Sequence, residues 1–413
     1  MRICFLSRRY WPAVSGMSVY AENFVRQLAR KGHEVVMLSQ YRADPAGMRV
    51  YGGGPPPAMA GVRIRGLRSH GEERAETGHQ ADFEGDIDRM VAAVEEEHAA
   101  APFDIIHAQY AYPTGYAGLI AAQRLGLPCV VSIQGGDGHW VGLCCRTHAE
   151  AMREVLMGAG RLLIGSASFA AEVSENHGVS PDRFTIVPGA TDTALFRPPA
   201  ERHRAEPIRL LYHGRVDRRK GLHELIEAAD LLRAAGLAFR LTVSGIGPDL
   251  DAVKADVAAR DLGAQVRFTG HVAYQDAGAV YRKADIFVSP TWSEGFSNTL
   301  LEAMATRLPI VSTETVGVVD CLADRRDALL VPVQDAASLA AAIERLMADQ
   351  ALAERLAATA LEEVTTLYAW PVVADRILAA YADTPVAGRS SAVPHAHAAA
   401  DPSCRFRASP HLL

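Results

Sequence analysis

Short apolar segments alternate with segments of helical period along both halves of this 413-residue chain. In the first half, strand-like runs lie at 2–6, 34–39, 104–107 and 128–133, with helical patterns near 17–31, 86–99 and 114–125. Strands that are separated by helices are usually joined in parallel, because the chain crosses over one face before the next strand begins. The pattern therefore predicts a doubly wound α/β sheet.

A second sheet is predicted after a break in this pattern. The break runs from Pro188 to about 207 and is rich in proline and charge; new strand-like runs follow at 208–213, 239–245, 265–269, 285–289, 309–312 and 328–331. A chain of this length also favours about two domains. We therefore expect four segments: an N-terminal domain over 1–198, a C-terminal domain over 207–366, a helix over 367–383 that crosses back to the first domain, and a disordered tail over 384–413.

Charge and cysteine usage limit the partners. The formal net charge is −6, with acids and bases interspersed, so the chain lacks the basic face that nucleic-acid binding requires. The six cysteines form no Cys-x-x-Cys pair, and we read no metal-ligand spacing with histidine. This usage predicts free thiols in a reducing compartment.

The N-terminus and the hydropathy pattern predict a cytoplasmic protein. The first apolar run is short and is followed at once by Arg8 and Arg9, which does not suit a signal peptide. The longest uncharged stretch, from Ile105 to Gln123, contains proline, histidine and glycine and is better explained as a strand, a loop and a buried helix.

The segment Glu294–Glu302 places two carboxylates across a turn and the start of a helix, with Ser297 and Asn298 as capping residues. Its first helical turn contains no acid before Glu302, so the unpaired N–H groups and the helix dipole favour an anion there. The composition predicts a site for a phosphorylated sugar. An ordinary strand-to-helix turn with two solvated acids is the alternative.

A basic loop follows the predicted strand at 208–213 and runs from Gly214 to Gly221. It contains Arg215 and Lys220, and it precedes a helical pattern from His223 to Ala235. Ligands of open α/β sheets bind at the carboxyl ends of strands, where a glycine-flanked cationic loop can neutralise a diphosphate. A solvated basic turn is the alternative.

Together these segments resemble the retaining glycosyltransferases of family 4, which have the GT-B fold. The family's pair of glutamates separated by seven residues matches Glu294 and Glu302. Its Gly-Arg…Lys-Gly loop matches Gly214, Arg215, Lys220 and Gly221. Shorter matches extend over most of the chain, at 15–16, 32–35, 104–107, 135–137, 187–188, 243–248, 284–288 and 368–370. The resemblance implies two Rossmann-like domains, each a doubly wound parallel sheet, that face each other across a cleft.

The resemblance also implies a reaction. A hexose-type sugar passes from a nucleoside-diphosphate sugar to a glycan, a glycolipid or another hydroxyl acceptor, the anomeric configuration is retained, and neither a cofactor nor a metal is needed. Charge that builds on the diphosphate must be stabilised in the transition state. The implied catalytic residues are Arg215, Lys220 and Glu294. The implied donor-binding residues are Gly16, Gly214, Arg215, Lys220, Glu294, Gly295, Phe296, Ser297, Asn298, Thr299, Leu300 and Glu302.

Individual roles follow from the resemblance with alternatives left open. Glu302 is expected to bind the ribose hydroxyls of the nucleotide. Glu294 is expected near the transferred sugar, where it either binds a hydroxyl group or offsets the positive charge of the ring. Gly16 either lets the backbone approach the donor phosphates or is a simple turn glycine.

Three further residues are expected on the acceptor side: His107, Gln134 and Asp137. His107 either touches the acceptor or is a satisfied buried histidine. Gln134 stands where many relatives have a histidine, and glutamine cannot take a proton, so a general base is excluded there. A front-face mechanism, in which the leaving phosphate removes the acceptor proton, needs no such base.

Other departures from the family pattern are Gly189 for an asparagine, Ser15 for a glycine and Arg307 for a glycine. Two Asp-x-Asp pairs, at 86–88 and 249–251, imitate the metal site of other glycosyltransferases. They lie in helical surroundings away from strand ends, so no metal site is predicted there.

Competing functions are weaker. The loop after the first strand lacks the G-x-G-x-x-G fingerprint of a nicotinamide dehydrogenase, and the sequence has no Walker loop. The serious alternative is a catalytically silent partner that binds a nucleotide sugar and supports another transferase. The sequence leaves open the donor nucleotide, the sugar and the acceptor, and it permits peripheral contact with the inner face of a membrane.

Overall fold

The computed structural model describes residues 1–8, 10, 16–41, 58–69, 81–388 and 404–408. The glycine- and proline-rich segment near 42–61, whose composition predicts a loop, lies largely outside these residues. The chain divides into two compact units, one formed by Met1–Pro188 with Ala374–Leu413 and the other by Gly189–Val373.

The first unit contains a seven-stranded parallel sheet in the order β3-β2-β1-β4-β5-β6-β7. Its strands are β1 (Arg2–Ser7), β2 (Glu34–Tyr41), β3 (Val62–Arg68), β4 (Ile105–Gln109), β5 (Cys129–Ile133), β6 (Arg161–Ile164) and β7 (Phe184–Ile186). The four strands predicted in this half are confirmed, and β3, β6 and β7 were not predicted.

The helices of the first unit are α1 (Gly16–Arg30), α2 (Phe83–Ala100), α3 (Tyr116–Leu125), α4 (Gly136–His139), α5 (Arg146–Gly158) and α6 (Ala167–His177). A π-helical turn spans Ala111–Gly115, and a 3₁₀ turn spans Pro181–Arg183. The three helices predicted in this half correspond to α1, α2 and α3.

The second unit contains a six-stranded parallel sheet in the order β10-β9-β8-β11-β12-β13. Its strands are β8 (Ile208–His213), β9 (Phe239–Ser244), β10 (Val266–Gly270), β11 (Ile286–Ser289), β12 (Ile310–Thr313) and β13 (Leu329–Val331). All six predicted strands are confirmed.

The helices after residue 207 are α7 (Leu222–Ala234), α8 (Leu250–Ala259), α9 (Tyr274–Arg282), α10 (Asn298–Ala305), α11 (Ala336–Ala348), α12 (Gln350–Leu367), α13 (Trp370–Ala382) and α14 (Arg405–Ala408). A 3₁₀ turn spans Arg218–Lys220. The division between the units falls within α13, at Val373 and Ala374. No helix in the described part of the chain is long and apolar enough to cross a bilayer.

Both faces of the second sheet are covered by apolar side chains. Leu210 and Leu211 are consecutive in β8 and belong to two different hydrophobic clusters. Successive side chains of a strand point to opposite faces, and both leucines are almost completely buried. The near-continuous apolar sequence of β8 is thus explained, because helices cover both faces of its sheet.

Part of the C-terminal tail does not match the predicted disorder. Cys404 is buried, and Phe406 stacks on Phe83 with 4.7 Å between the ring centroids. Arg407 forms a buried ion pair with Glu84 and donates to the carbonyl of Ala81 at 3.1 Å. The expectation of disorder is therefore wrong for this short segment, whose apolar and charged contacts come from residues far away in the sequence.

Candidate functional site

Two loops meet at the carboxyl edge of the second sheet. The loop 214–221 follows β8 and the segment 290–297 follows β11, and these strands are neighbours in the sheet. The backbone N–H of Trp292 donates to the carbonyl of Arg219 at 2.8 Å, which joins the two loops directly. The structure therefore brings together the two segments that the sequence singled out.

Lys220 and Glu294 form an ion pair across these loops. Lys220 Nζ lies 2.6 Å from Glu294 Oε1, and the side chains are 28% and 17% exposed. A lysine ammonium has three N–H donors, so the group that is held by Glu294 keeps two for further acceptors. The pair fixes a cation and a carboxylate side by side at the strand ends.

Arg215 lies in the same loop beside a buried carboxylate. Its Nε is 3.7 Å from Asp217 Oδ2, and its carbonyl accepts a 2.6 Å hydrogen bond from the hydroxyl of Tyr212. Burial of Asp217 opposes ionisation, but the hydrogen bonds from Arg219 outweigh it and lower the pKa of Asp217 to about 2. Asp217 is thus a permanent anion that organises the cations of the loop.

Glycine allows the backbones of these loops to touch. Gly221 has a φ of +69°, and a Cβ there would lie 1.9 Å from the carbonyl oxygen of Pro290. Gly245, in the loop after β9, has a φ of +150°, and a Cβ there would lie 1.8 Å from the carbonyl oxygen of Gly214. Any side chain at either position would push the loops apart.

Helix α10 begins at the site with its first turn free of acidic residues, as predicted. Ser297 precedes the helix, but within the described residues its side chain makes no capping hydrogen bond to the backbone. Its hydroxyl instead lies 3.2 Å from the hydroxyl of Thr299. The expected side-chain cap is therefore wrong, and Oγ of Ser297 does not compete with an anion for the first N–H groups of the helix.

Asn298 presents a buried amide at the same helix end. Its Oδ1 has no hydrogen-bond partner among the described residues. A Cβ at Gly189 would lie 2.6 Å from this Oδ1, so the glycine that replaces the family's asparagine leaves room for the amide.

The predicted donor set also contains residues whose side chains face the core. Leu300 is fully buried in a hydrophobic cluster, and Phe296 packs on Tyr368 with 5.7 Å between the ring centroids. Gly295 has no side chain, and its backbone packs against Gly317: a Cβ at Gly317 would lie 3.0 Å from the carbonyl carbon of Gly295. At Leu300 only the backbone N–H remains for a ligand.

Glu302 is a buried carboxyl group one turn into α10. Its Oε2 accepts a 2.7 Å hydrogen bond from the hydroxyl of Tyr281, and the residue is 8% exposed. Burial raises the pKa of Glu302 to about 7, although the Tyr281 hydrogen bond acts in the opposite direction. Removal of a carboxylate from water is the cause of this shift.

His107 matches the second of its two alternatives. It is completely buried, and its Nε2 lies 2.7 Å from Ser132 Oγ while its Nδ1 is bonded to the hydroxyl of Tyr381. Burial lowers its pKa to about 3, so the ring is neutral. Both nitrogens are used inside the first unit, which leaves none for an acceptor.

Gln134 and Asp137 organise the loop after β5. Asp137 is completely buried and accepts hydrogen bonds from the backbone N–H groups of Gln134, Gly135 and Ala111 at 3.1, 2.9 and 2.8 Å. Burial nevertheless raises its pKa, against these backbone hydrogen bonds. Oε1 of Gln134 accepts a 2.8 Å hydrogen bond from Gln109 Nε2. Asp137 thus stabilises the loop through its backbone, and this fixes the position of Gln134, which is partly exposed.

Gly16 is the exposed first residue of α1. A Cβ at this position would meet no atom within 4 Å, and its φ is not in the left-handed region. Neither the backbone nor the packing of the described residues requires glycine here, and both explanations of Gly16 stay predictions.

One carboxylate of each Asp-x-Asp pair is hydrogen-bonded to a protein group. Asp86 is buried beside Ser69, whose hydroxyl lies 2.5 Å from its carboxylate, and Asp249 accepts from the N–H of Arg218 at 2.5 Å. In the described part of the chain, one group of potential metal ligands occurs, and it consists of three cysteines and a histidine in the first unit.

Sequence reasoning missed two side chains of the second unit. Tyr281 lies on α9 and reaches Glu302 only through the fold. His213 ends β8, with its Nδ1 3.0 Å from Ser244 Oγ and its ring packed on Tyr281. Burial lowers the pKa of His213 to about 4, so it is a neutral neighbour of the site.

Two known families together match most of the chain. The family described as "Glycosyl transferase 4-like domain" matches residues 15–190, and the family described as "Glycosyl transferases group 1" matches residues 196–363. The chain belongs to the group 1 glycosyltransferases. A curated relative of this glycosyltransferase is glycogen synthase from Mycobacterium tuberculosis, with 27% identity over 91% of this chain and 92% of the relative.

Solved structures show the fold of this group 1 glycosyltransferase. Sucrose-phosphate synthase from Thermosynechococcus elongatus superposes with a TM-score of 0.77 at 24% identity, over 92% of this chain and 98% of that one. Anabaena HepE, solved in complex with UDP-glucose, superposes with a TM-score of 0.70 at 14% identity, over 92% and 99% of the two chains. From the family matches the chain is a hexosyltransferase, and it has the two Rossmann-like sheets of the GT-B fold.

Proposed function

We propose that this glycosyltransferase moves a hexose-type sugar from a nucleoside-diphosphate sugar to a hydroxyl acceptor, with retention of configuration and without a catalytic metal ion. The observation that carries the proposal is the Lys220–Glu294 pair, 2.6 Å apart where two strand-end loops meet. The Lys220 ammonium, proposed to bind the leaving diphosphate, therefore lies beside the Glu294 carboxylate, proposed to act on the sugar.

The diphosphate is assigned to the 214–221 loop and the start of α10. Lys220 and Arg215 supply positive charge, and the first-turn N–H groups at Asn298 and Thr299 supply oriented dipoles. These groups are fixed before the reaction, so they stabilise the charge that develops on the leaving group. Because the cations and the helix dipole provide this neutralisation, the proposal requires no metal.

The nucleoside is assigned to Glu302 and the transferred sugar to Glu294. Oε2 of Glu302 is bonded to Tyr281, which leaves Oε1 to accept from ribose hydroxyls. HepE, which shares the fold, was solved with UDP-glucose, and this supports a nucleotide sugar as the donor class.

Retention is proposed to proceed by a front-face mechanism. The glycosidic C–O bond breaks, and the acceptor oxygen bonds to the same face of the anomeric carbon. The acceptor proton passes to an oxygen of the leaving phosphate. Gln134 is able to orient a hydroxyl group but cannot take this proton.

The acceptor is proposed to be a polysaccharide or glycolipid under assembly in the cytoplasm. A lipid-linked acceptor would bring the enzyme into peripheral contact with the inner face of a membrane. We infer no nucleic-acid partner.

Release of nucleoside diphosphate from a panel of donors tests the assignment. Thermal-shift screening first selects the donor that stabilises the protein. Slow hydrolysis of this donor is expected, and Lys220→Ala should lower the rate roughly 10²–10³-fold. Lys254→Ala, which changes an exposed lysine on α8, should leave the rate unchanged. Tight binding without any turnover, with or without acceptors, would instead identify a silent partner.

Configuration is checked on the same reaction. Proton NMR of the first sugar released from an α-linked donor should show the α anomer before mutarotation. Initial formation of the β anomer would disprove retention while leaving the transferase assignment intact.

A further inference from the structure

Three cysteines and one histidine of the first unit converge outside the donor site. Cys144, Cys145, His148 and Cys404 each place a ligand atom within 4.8 Å of all the others. Nδ1 of His148 lies 3.1, 3.4 and 3.5 Å from the sulfurs of Cys144, Cys145 and Cys404 respectively. Residues 144–148 and 404 are brought together only by the fold.

We propose that these four side chains form a structural zinc site. In a tetrahedral site with Zn–S of about 2.3 Å and Zn–N of about 2.0 Å, a sulfur and a nitrogen ligand lie roughly 3.5 Å apart. The three Nδ1-to-sulfur distances, 3.1 to 3.5 Å, approach this separation. Thiolate and imidazole together are the donor set that favours zinc.

The local structure presents the ligands on one side of a helix start. Cys145 directly precedes α5 and His148 lies in its first turn, so the Cys-x-x-His spacing points both groups the same way. His148 is fully buried and its Nδ1 faces the three sulfurs, so Nδ1 is the nitrogen available to a metal. Cys144 and Cys145 are partly exposed, which provides a path for the ion.

Four protein ligands close the coordination sphere, so the site is structural rather than catalytic. Its effect is to fasten the segment that contains Cys404 and α14 to the first unit. The same segment stacks Phe406 on Phe83 and pairs Arg407 with Glu84. The Phe83 and Phe406 rings also lie 5.2 and 5.4 Å from the guanidinium of Arg8, which directly follows β1. The metal would thus anchor the tail at the carboxyl edge of the first sheet.

A disulfide between two of the sulfurs is the competing state. It would use two thiols and leave the third cysteine beside His148. A zinc ion would use all three, and zinc bound by thiolates shields them from alkylation until the metal is removed. The two states therefore differ in metal content, in thiol count and in response to a chelator.

The test measures metal by mass spectrometry in the full-length protein, purified without a metal-affinity tag. About one zinc per chain is expected, and Cys404→Ser should reduce it to less than about a tenth. Cys321→Ala removes a buried thiol of the second unit and should leave the zinc content unchanged. Replacement of zinc by Co(II) should produce the visible absorption of a tetrahedral thiolate site.

Two readouts on the wild-type protein make the test independent of variant folding and of enzymatic activity. A zinc chelator should expose three additional thiols to alkylation and increase hydrogen exchange around residues 404–408. Metal-free protein whose three thiols react equally with and without chelator would overturn the proposal. So would intact-mass data that show a disulfide among these cysteines.

Discussion

The hydroxyl of Tyr281 donates a 2.7 Å hydrogen bond to Oε2 of Glu302, and both side chains are buried in the second unit. Burial raises the pKa of Glu302 to about 7, so a residue proposed to bind ribose changes its charge near neutral pH. Relatives are expected to use this glutamate as a hydrogen-bond acceptor, a role that the ionised form fulfils best.

Donor affinity is therefore expected to depend on pH. As the pH falls from 8 to 6, Glu302 becomes protonated and the dissociation constant of the donor should rise several-fold. Isothermal titration calorimetry over this range measures the effect. Tyr281→Phe removes the hydrogen bond that lowers the pKa, so the inflection should move to higher pH. A dissociation constant that is flat from pH 6 to 8 would show that Glu302 is not a contact of the nucleotide.

Glu302→Gln is expected to stabilise the fold at high pH while it weakens donor binding. The folded-state pKa of about 7 lies above the ordinary glutamate value of 4.5 that applies to the unfolded chain. The unfolded chain therefore ionises first, and wild-type stability declines as the pH rises from 4.5 to 7. The neutral glutamine avoids this loss.

Denaturant unfolding at several pH values measures the difference. The variant should gain about 1–3 kcal/mol above pH 8, and the gain should fall towards zero near pH 4. Glu344→Gln, on the exposed side of α11, is the control and should show no such trend. Equal stability of wild type and Glu302→Gln at pH 8 would contradict burial as the cause of the pKa shift.

Glu294→Gln should separate binding from chemistry. The carboxylate holds Lys220 but also lies next to the proposed diphosphate site, so its loss removes both an ion pair and a repulsive charge. We expect the KM for the donor to change less than about threefold while kcat falls about 10²-fold, because the charge on the sugar ring develops only in the transition state. Steady-state kinetics measure both parameters. An increase in KM with an unchanged kcat would instead assign Glu294 to ground-state binding.

Two glycines with similar φ angles should respond differently to alanine. Gly221 and Gly236 have φ values of +69° and +76°, but only Gly221 has a neighbouring carbonyl in the volume of a Cβ. Gly236→Ala should cost about 1 kcal/mol for the left-handed backbone. Gly221→Ala should cost at least about 2 kcal/mol more and abolish donor binding, because the loops after β8 and β11 must separate. Equal losses of stability in the two variants, measured by urea denaturation, would refute this contact.

Arg307→Gly is expected to stabilise the protein. Arg307 is exposed and has a φ of 56°, a conformation that disfavours side chains, and relatives are expected to have glycine here. Relief of about 1–2 kcal/mol of strain should exceed the extra entropy that glycine loses on folding, for a net gain of about 0.5–1 kcal/mol. Arg345→Gly, at an exposed position of α11, should instead destabilise by about 1 kcal/mol. In thermal unfolding, the midpoint temperature should rise for Arg307→Gly and fall for Arg345→Gly.

Strands with continuous apolar runs were predictable, and the two edge strands of the first sheet were not. β8 and β11 are buried on both faces and have the composition of central parallel strands. β3 reads Val-Arg-Ile-Arg-Gly-Leu-Arg and lies at the edge of its sheet, where three arginines remain partly or fully exposed. β7 has only three residues, too few to show a period.

The site was predictable where it depends on local sequence. Composition and spacing identified the loops that contain Lys220 and Glu294. Both loops follow parallel strands, so they lie at the same edge of the sheet. The partner of Glu302 was not predictable, since Tyr281 comes from another helix. Cys145 and His148 have a metal-ligand spacing, contrary to the expectation from the sequence, and nothing local to them indicates that Cys404 returns to complete the group.

The contacts of Gly221 with Pro290 and of Gly245 with Gly214 have a practical consequence for engineering. Side chains at these glycines have no volume to occupy, so a library that randomises them would yield inactive clones whichever sugar is screened. Attempts to change the donor preference should keep these two glycines unchanged and diversify positions whose side chains already point to solvent.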